Sequence, residues 1–134
     1  MTVGPVSGNG IAVTLVPGKL VYWTVNVQAS WSQFVQLKDS AGNVIFTATG
    51  ASTGGHSPTQ IGNGSFPVND QSGNYKLYIG FNNGQSWSSI LWDDMTVYLG
   101  SKLICSNYNF IAEDSTDQDY NDSCVTMSWF VSVG

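Results

Sequence analysis

The chain has 134 residues, 42% of them hydrophobic and 13% aromatic, with 15 Gly, two Cys and only 10% charged side chains. Four Lys, no Arg and nine acidic residues give a net charge of −5, which excludes the basic surface that nucleic acid or an anionic membrane requires. The length suits a single domain over residues 1–134, and Gly, Ser, Thr and Asn mixed with Val, Ile, Tyr, Phe and Trp make the composition of short strands and tight turns.

In chain order, the opening MTVGPVSGNG lacks the basic region and apolar run of a signal peptide, although action outside the cell or at its surface is the favoured expectation. A first strand is predicted over Gly10–Val16 and ends at the turn Pro17-Gly18. In Leu20–Ala29, Val21, Trp23, Val25 and Val27 face one way while Thr24, Asn26 and Gln28 face the other. This period of two marks a half-buried strand. Strands follow over Gln33–Lys38 and Val44–Ala48, separated by the turn Asp39–Asn43. Gly50–Asn63, rich in Gly, Ser and Thr and holding His56, reads as a long surface loop.

Beyond the turn Asn69–Asn74, alternation resumes over Tyr75–Phe81, with Tyr75, Leu77, Ile79 and Phe81 on one face. Asn82-Asn83-Gly84 is another turn. Ile90–Leu99, Leu103–Ala112 and Ser123–Val133 complete the strands. No segment carries a helical period, and no apolar run approaches the ~18 residues of a membrane span. Eight or nine short antiparallel strands predict an all-β, jelly-roll-like β-sandwich. Cys105 and Cys124 sit in the strand-like segments that flank the acidic residues 113–122 and leave two readings open, one disulfide or two core thiols.

The charge is local. Glu113, Asp114, Asp117, Asp119 and Asp122 fall within ten consecutive positions, and the remaining four acids balance the four Lys. Carboxylates this dense repel one another, and no basic residue lies near them in sequence. A hard divalent cation resolves the conflict, since calcium takes six to eight oxygen ligands from carboxylates and amide carbonyls. Asp117, Asp119 and Asn121 alternate, so a curled loop can converge their oxygens, with Glu113 and Asp122 adding ligands from the two ends. An EF-hand is excluded, because Asp122 occupies its obligatory Gly position and Ser128 stands where its closing Glu belongs. Zinc is disfavoured because His56 is the sole His. Two calcium ions would bring +4 against the five loop carboxylates, so a two-metal site suits the charge.

The segment NFIAEDSTDQDYNDSCVTMSW, Asn109–Trp129, resembles the C-terminal hairpin of the calcium-dependent fucose- and mannose-binding bacterial lectins typified by the Pseudomonas fucose lectin. The likeness runs from about Ile90 to Trp129 and is densest at Glu113-Asp114, Thr116-Asp117 and Asp119–Asp122. It implies a nine-stranded sandwich in which two adjacent calcium ions coordinate sugar hydroxyls directly. By position it assigns the metals to Glu113, Asp117, Asp119, Asn121 and Asp122. It also implies that Asp114 accepts a hydrogen bond from the sugar, joined in this by Asp117, Asp119 and Asp122. The family takes a further ligand from an early loop that sets sugar preference. Its counterpart here is Gln28–Ser32, with Gln28 as the amide ligand and Ser30 and Trp31 toward the sugar. The family Asn is absent from that loop, and Trp in it departs from the family pattern. The family also uses the carboxylate of a final Gly to complete a neighbouring subunit's site. That role would fall to Gly134, although the tail from Phe130 is two residues longer than the pattern. A homo-oligomer, dimer or higher, is the corresponding expectation.

Of the five Trp, Trp23, Trp92 and Trp129 lie in strand patterns and read as core, whereas Trp31 and Trp87 fall in turns. Trp31 is the aromatic best placed to stack on a sugar, and an interface or capping role is the equal alternative. An enzyme is disfavoured: no nucleophile elbow is present, and metal binding accounts better for the acids than a glycosidase pair does. The expectation is therefore a calcium-dependent lectin for fucose, mannose or glycans carrying them. Its rival is a structural calcium module that binds no sugar.

Overall fold

The computed structural model describes residues 2–3, 10–82, 84–114 and 119–132. Its described residues form eleven strands and no helix, all paired antiparallel. Two strands are only two residues long, β1 (Thr2–Val3) and β8 (Ser86–Trp87). The other nine are β2 (Ile11–Thr14), β3 (Leu20–Val27), β4 (Gln33–Lys38), β5 (Val44–Gly50), β6 (Thr59–Pro67), β7 (Asn74–Phe81), β9 (Ser89–Leu99), β10 (Lys102–Glu113) and β11 (Ser123–Phe130).

They make two sheets. One has the order β1-β9-β10-β11-β3-β6, and the other runs β2-β7-β4-β5 with β8 added to β7. Alternation dictates what lies between them. Val21, Val25 and Val27 from β3 and Val125, Met127 and Trp129 from β11 are buried in one core with Val35 and Leu37 from β4 and Tyr75, Leu77 and Ile79 from β7. Phe110 of β10 is fully buried among them. This is the expected all-β sandwich. No helix among the described residues is long and apolar enough to cross a membrane.

Three expectations change. Thr59–Pro67 is a strand along β3, not the end of a long loop. Its Gly62 and Gly64 lie under the Trp23 indole, where a Cβ would come within 3.0 Å of the ring. Trp23 itself is only half-buried and stacks on Phe46 at 3.9 Å between ring centroids. Trp87 lies in β8 and meets Phe34 edge to face, so it is not a turn residue. The open question of the cysteines is also answered, since both are free. Cys124 pairs with Ile111, six positions from Cys105 along β10, which separates them by about 20 Å at ~3.3 Å per residue.

The ladders also place the loops. Ser123 pairs with Ala112 on one side and Val27 on the other. The end of β3, the end of β10 and the start of β11 therefore meet at one rim of the sandwich. The β10–β11 connection, which is the acidic loop, and the β3–β4 connection leave from that rim side by side.

Candidate functional site

Glu113, the last residue of β10, and Asp122, just before β11, are both buried, at 4% and 7% exposure. Asp119 is exposed. One carboxylate oxygen from each of the three lies within 4.8 Å of the others. Backbone amides preorganise the group: the Asp119 amide donates to Glu113 Oε2 at 3.0 Å, and the Asp114 amide donates to Asp122 Oδ2 at 2.8 Å. Tyr120 takes a positive φ of 53°, which curls the chain back between Asp119 and Asn121. Asn121 is half-buried next to Asp122. Asp117 and Gly134 lie outside the described residues.

The electrostatics disfavour leaving all three carboxylates ionised without a counter-charge. Burial is the main cause that pushes the Asp122 carboxyl up to about 8, helped by its hydrogen bond with Glu113 and by neighbouring Asp114. The four Lys are placed elsewhere. Lys19 reaches Val131, Lys38 and Lys76 face each other across β4 and β7, and Lys102 lies at the far end of β10. The donors are all hard oxygens, two of them buried and close together, so the residues present fit a calcium ion.

The β3–β4 loop is fastened to this group. The Gln28 amide donates to the Asp122 carbonyl at 3.2 Å, which brings Gln28 beside the acidic loop. Ala29 is buried and held by Ser52, whose hydroxyl accepts from the Ala29 amide at 2.8 Å. Ser30 is exposed. Trp31 is half exposed, at 50%, and stacks on Phe81 with centroids 5.5 Å apart. An indole supported from below and open above is suited to the apolar face of a ring.

Two residues outside the expected set join the two loops. Gln33 is fully buried, and its Nε2 donates to Asp114 Oδ2 at 2.7 Å and to the Trp31 carbonyl at 3.2 Å. Its Oε1 accepts from Ser123 Oγ at 2.9 Å. The signal for both was present in the alternation. Gln33 leads the inward series Gln33, Val35, Leu37, and Ser123 leads Ser123, Val125, Met127, Trp129, so each is the polar member of an apolar face.

The family profile of fucose-binding lectin II (PA-IIL) matches residues 13–131. The chain belongs to this family. It is 30% identical over 124 residues to Thrombocorticin from a Corticium species, covering 89% of this chain and 92% of that one. Among solved structures it is similar to the Chromobacterium violaceum lectin CV2L, determined in complex with alpha-methyl-fucoside, with a TM-score of 0.70 and 25% identity. That likeness covers 92% of this chain and 96% of the other. The fold is shared with the Ralstonia solanacearum high-affinity mannose-binding lectin, at a TM-score of 0.71 and 23% identity over 96% of this chain and 98% of that one. Membership places the protein among lectins, which bind carbohydrate and are not enzymes.

Proposed function

We propose that this lectin domain, spanning residues 1–134, is calcium-dependent and binds fucose- or mannose-type sugars at the rim formed by the acidic loop and the β3–β4 loop. The observation that carries the reading is the convergence of Glu113, Asp119 and Asp122, two of them buried, in a chain of the fucose-binding lectin II family. Glu113, Asp117, Asp119, Asn121 and Asp122 hold the metal, and Gln28 adds an amide oxygen from the neighbouring loop. The charge of the loop suits two ions. When bound, calcium supplies a fixed centre that takes vicinal sugar hydroxyls in place of water.

The chain's own groups do the rest. Single hydrogen bonds from protein to a hydrated sugar yield little net free energy, because each replaces a bond to water. Bonds from hydroxyls to ionised carboxylates are stronger, and Asp114, Asp117, Asp119 and Asp122 accept them. Ser30 and Trp31 border the sugar, with Trp31 offering its exposed ring face.

A homo-oligomer, dimer or higher, is part of this proposal, because weak single-sugar sites gain avidity by repetition. The long strand β9 supports it. Among the described residues its outer edge is paired only at Leu91 and Trp92, while Met95, Tyr98 and Leu99 farther along are exposed.

Thermal melting tests the proposal. Calcium should raise the melting temperature over the EDTA-treated protein, and fucose or mannose should raise it further only when calcium is present. A calcium effect with no sugar increment would favour a purely structural metal.

A further inference from the structure

Gln33 occupies the first position of β4 in one sheet, yet its side chain bonds to residues from three other places. It donates to Asp114 Oδ2 in the acidic loop at 2.7 Å and to the Trp31 carbonyl in the β3–β4 loop at 3.2 Å. It accepts from Ser123 Oγ at the head of β11, in the facing sheet, at 2.9 Å. The side chain is fully buried, so water does not offer it an equivalent set of partners. Only an amide can serve all three at once. Its two N–H groups satisfy a carboxylate and a carbonyl while its oxygen takes a hydroxyl proton. Glutamate would lose the donors and place a second carboxylate against Asp114. Methionine would fill the space with no polar atom suited to any of the three.

The consequence falls on Asp114. Its backbone amide is tied to Asp122 Oδ2 at 2.8 Å, and the Gln33 bond fixes one side-chain oxygen. With both ends set, the Asp114 carboxylate is held in one orientation. The same amide holds the peptide of Trp31, the residue whose ring borders the site. We propose that Gln33 is a positioning residue of the carbohydrate site, setting the Asp114 carboxylate and the Trp31 loop in one geometry before sugar arrives. Preorganisation of this kind lowers the cost of ordering groups on binding. The inference rests on the sugar-binding reading above and adds to it a residue that touches neither metal nor sugar.

The experiment is titration calorimetry of the full chain in two stages, calcium alone and then alpha-methyl-fucoside or methyl mannoside into the calcium-saturated protein. It compares wild type, Gln33→Met, Asp114→Ala and the double variant. Gln33→Met should leave calcium affinity within about twofold, lower sugar affinity by about tenfold and change the ratio of fucoside to mannoside affinity. In the Asp114→Ala background the same change should cost no more than about twofold, because its route to the sugar is gone. If Gln33→Met does not melt cooperatively, Gln33→Leu, equally uncharged and without donors, takes its place with the same expected pattern. Wild-type sugar affinity in Gln33→Met, or losses that multiply in the double variant, would overturn the assignment alone. Calcium binding without sugar heat in the wild type would overturn the sugar-binding reading and this assignment with it.

Discussion

The Gln28 amide donates to the Asp122 carbonyl at 3.2 Å, so the β3–β4 loop and the acidic loop share a hydrogen-bonded seam. Under the proposed function, a metal that ordered the acidic loop would therefore also bear on the loop that carries Ser30 and Trp31.

Trp31 offers the simplest test of that arrangement. Its ring rests on Phe81 at the surface and is half exposed, so truncation leaves the core between the sheets intact. Trp31→Ala should leave calcium affinity near that of the wild type and the cooperative melt intact, with a modest fall in melting temperature from the lost Phe81 contact. Loss of an aromatic contact of about 0.5–1.5 kcal/mol should weaken monosaccharide binding by about two- to tenfold. Calorimetry of the calcium-saturated variant reads the difference.

Glu113 and Asp122 make the opposite prediction. Both are buried carboxyls, and in the calcium-free protein they share a hydrogen bond through the proton that Asp122 keeps up to about pH 8. Glu113→Gln removes one of them and should lower calcium affinity by at least about tenfold. The same change should alter calcium-free stability by no more than about 1 kcal/mol, since the Gln amide can keep a hydrogen bond to the protonated Asp122 carboxyl. Calcium titration and melting in EDTA separate the two effects.

The pH dependence follows from Asp122, whose pKa is pushed from 3.8 to about 8 mainly by burial. A carboxyl with a raised folded-state pKa binds more protons folded than unfolded within that window. Stability of the calcium-free protein should then fall as pH rises from about 4 to about 8. Melting in EDTA across that range should show the slope, and Asp122→Asn should flatten it. Calcium-saturated protein should lack the slope, because the metal takes the place of the proton.

Gly73 tests the fold away from the site. It takes φ +70°, and a Cβ there would lie 2.3 Å from the Leu15 carbonyl oxygen. Gly73→Ala therefore has to move backbone as well as adopt an unfavourable dihedral, and should cost about 2 kcal/mol or more of unfolding free energy. Chemical denaturation measures it.

Most of the sandwich could be read from alternation, because β4 and β11 bury every second side chain and β3 and β7 do so over most of their length. β6 could not. Gly62 and Gly64 suppress the strand signal, and the reason they are required, the Trp23 ring lying over them, belongs to the partner strand. The site divides the same way. Glu113, Asp119 and Asp122 announced themselves by density in the chain, and the structure brings them together. Gln33 and Ser123 sit 90 residues apart, and their link exists only once the two sheets face each other. A lone polar residue in an inward series was the available sign, and its meaning depended on what stood opposite.

The central claim is that sugar binding runs through the metal held by the acidic loop. Isothermal calorimetry of the calcium-saturated protein against fucose and mannose, repeated after EDTA treatment, tests it most directly. Heat with one or both sugars is expected in calcium and none in EDTA. Sugar binding that persists unchanged in excess EDTA would contradict it.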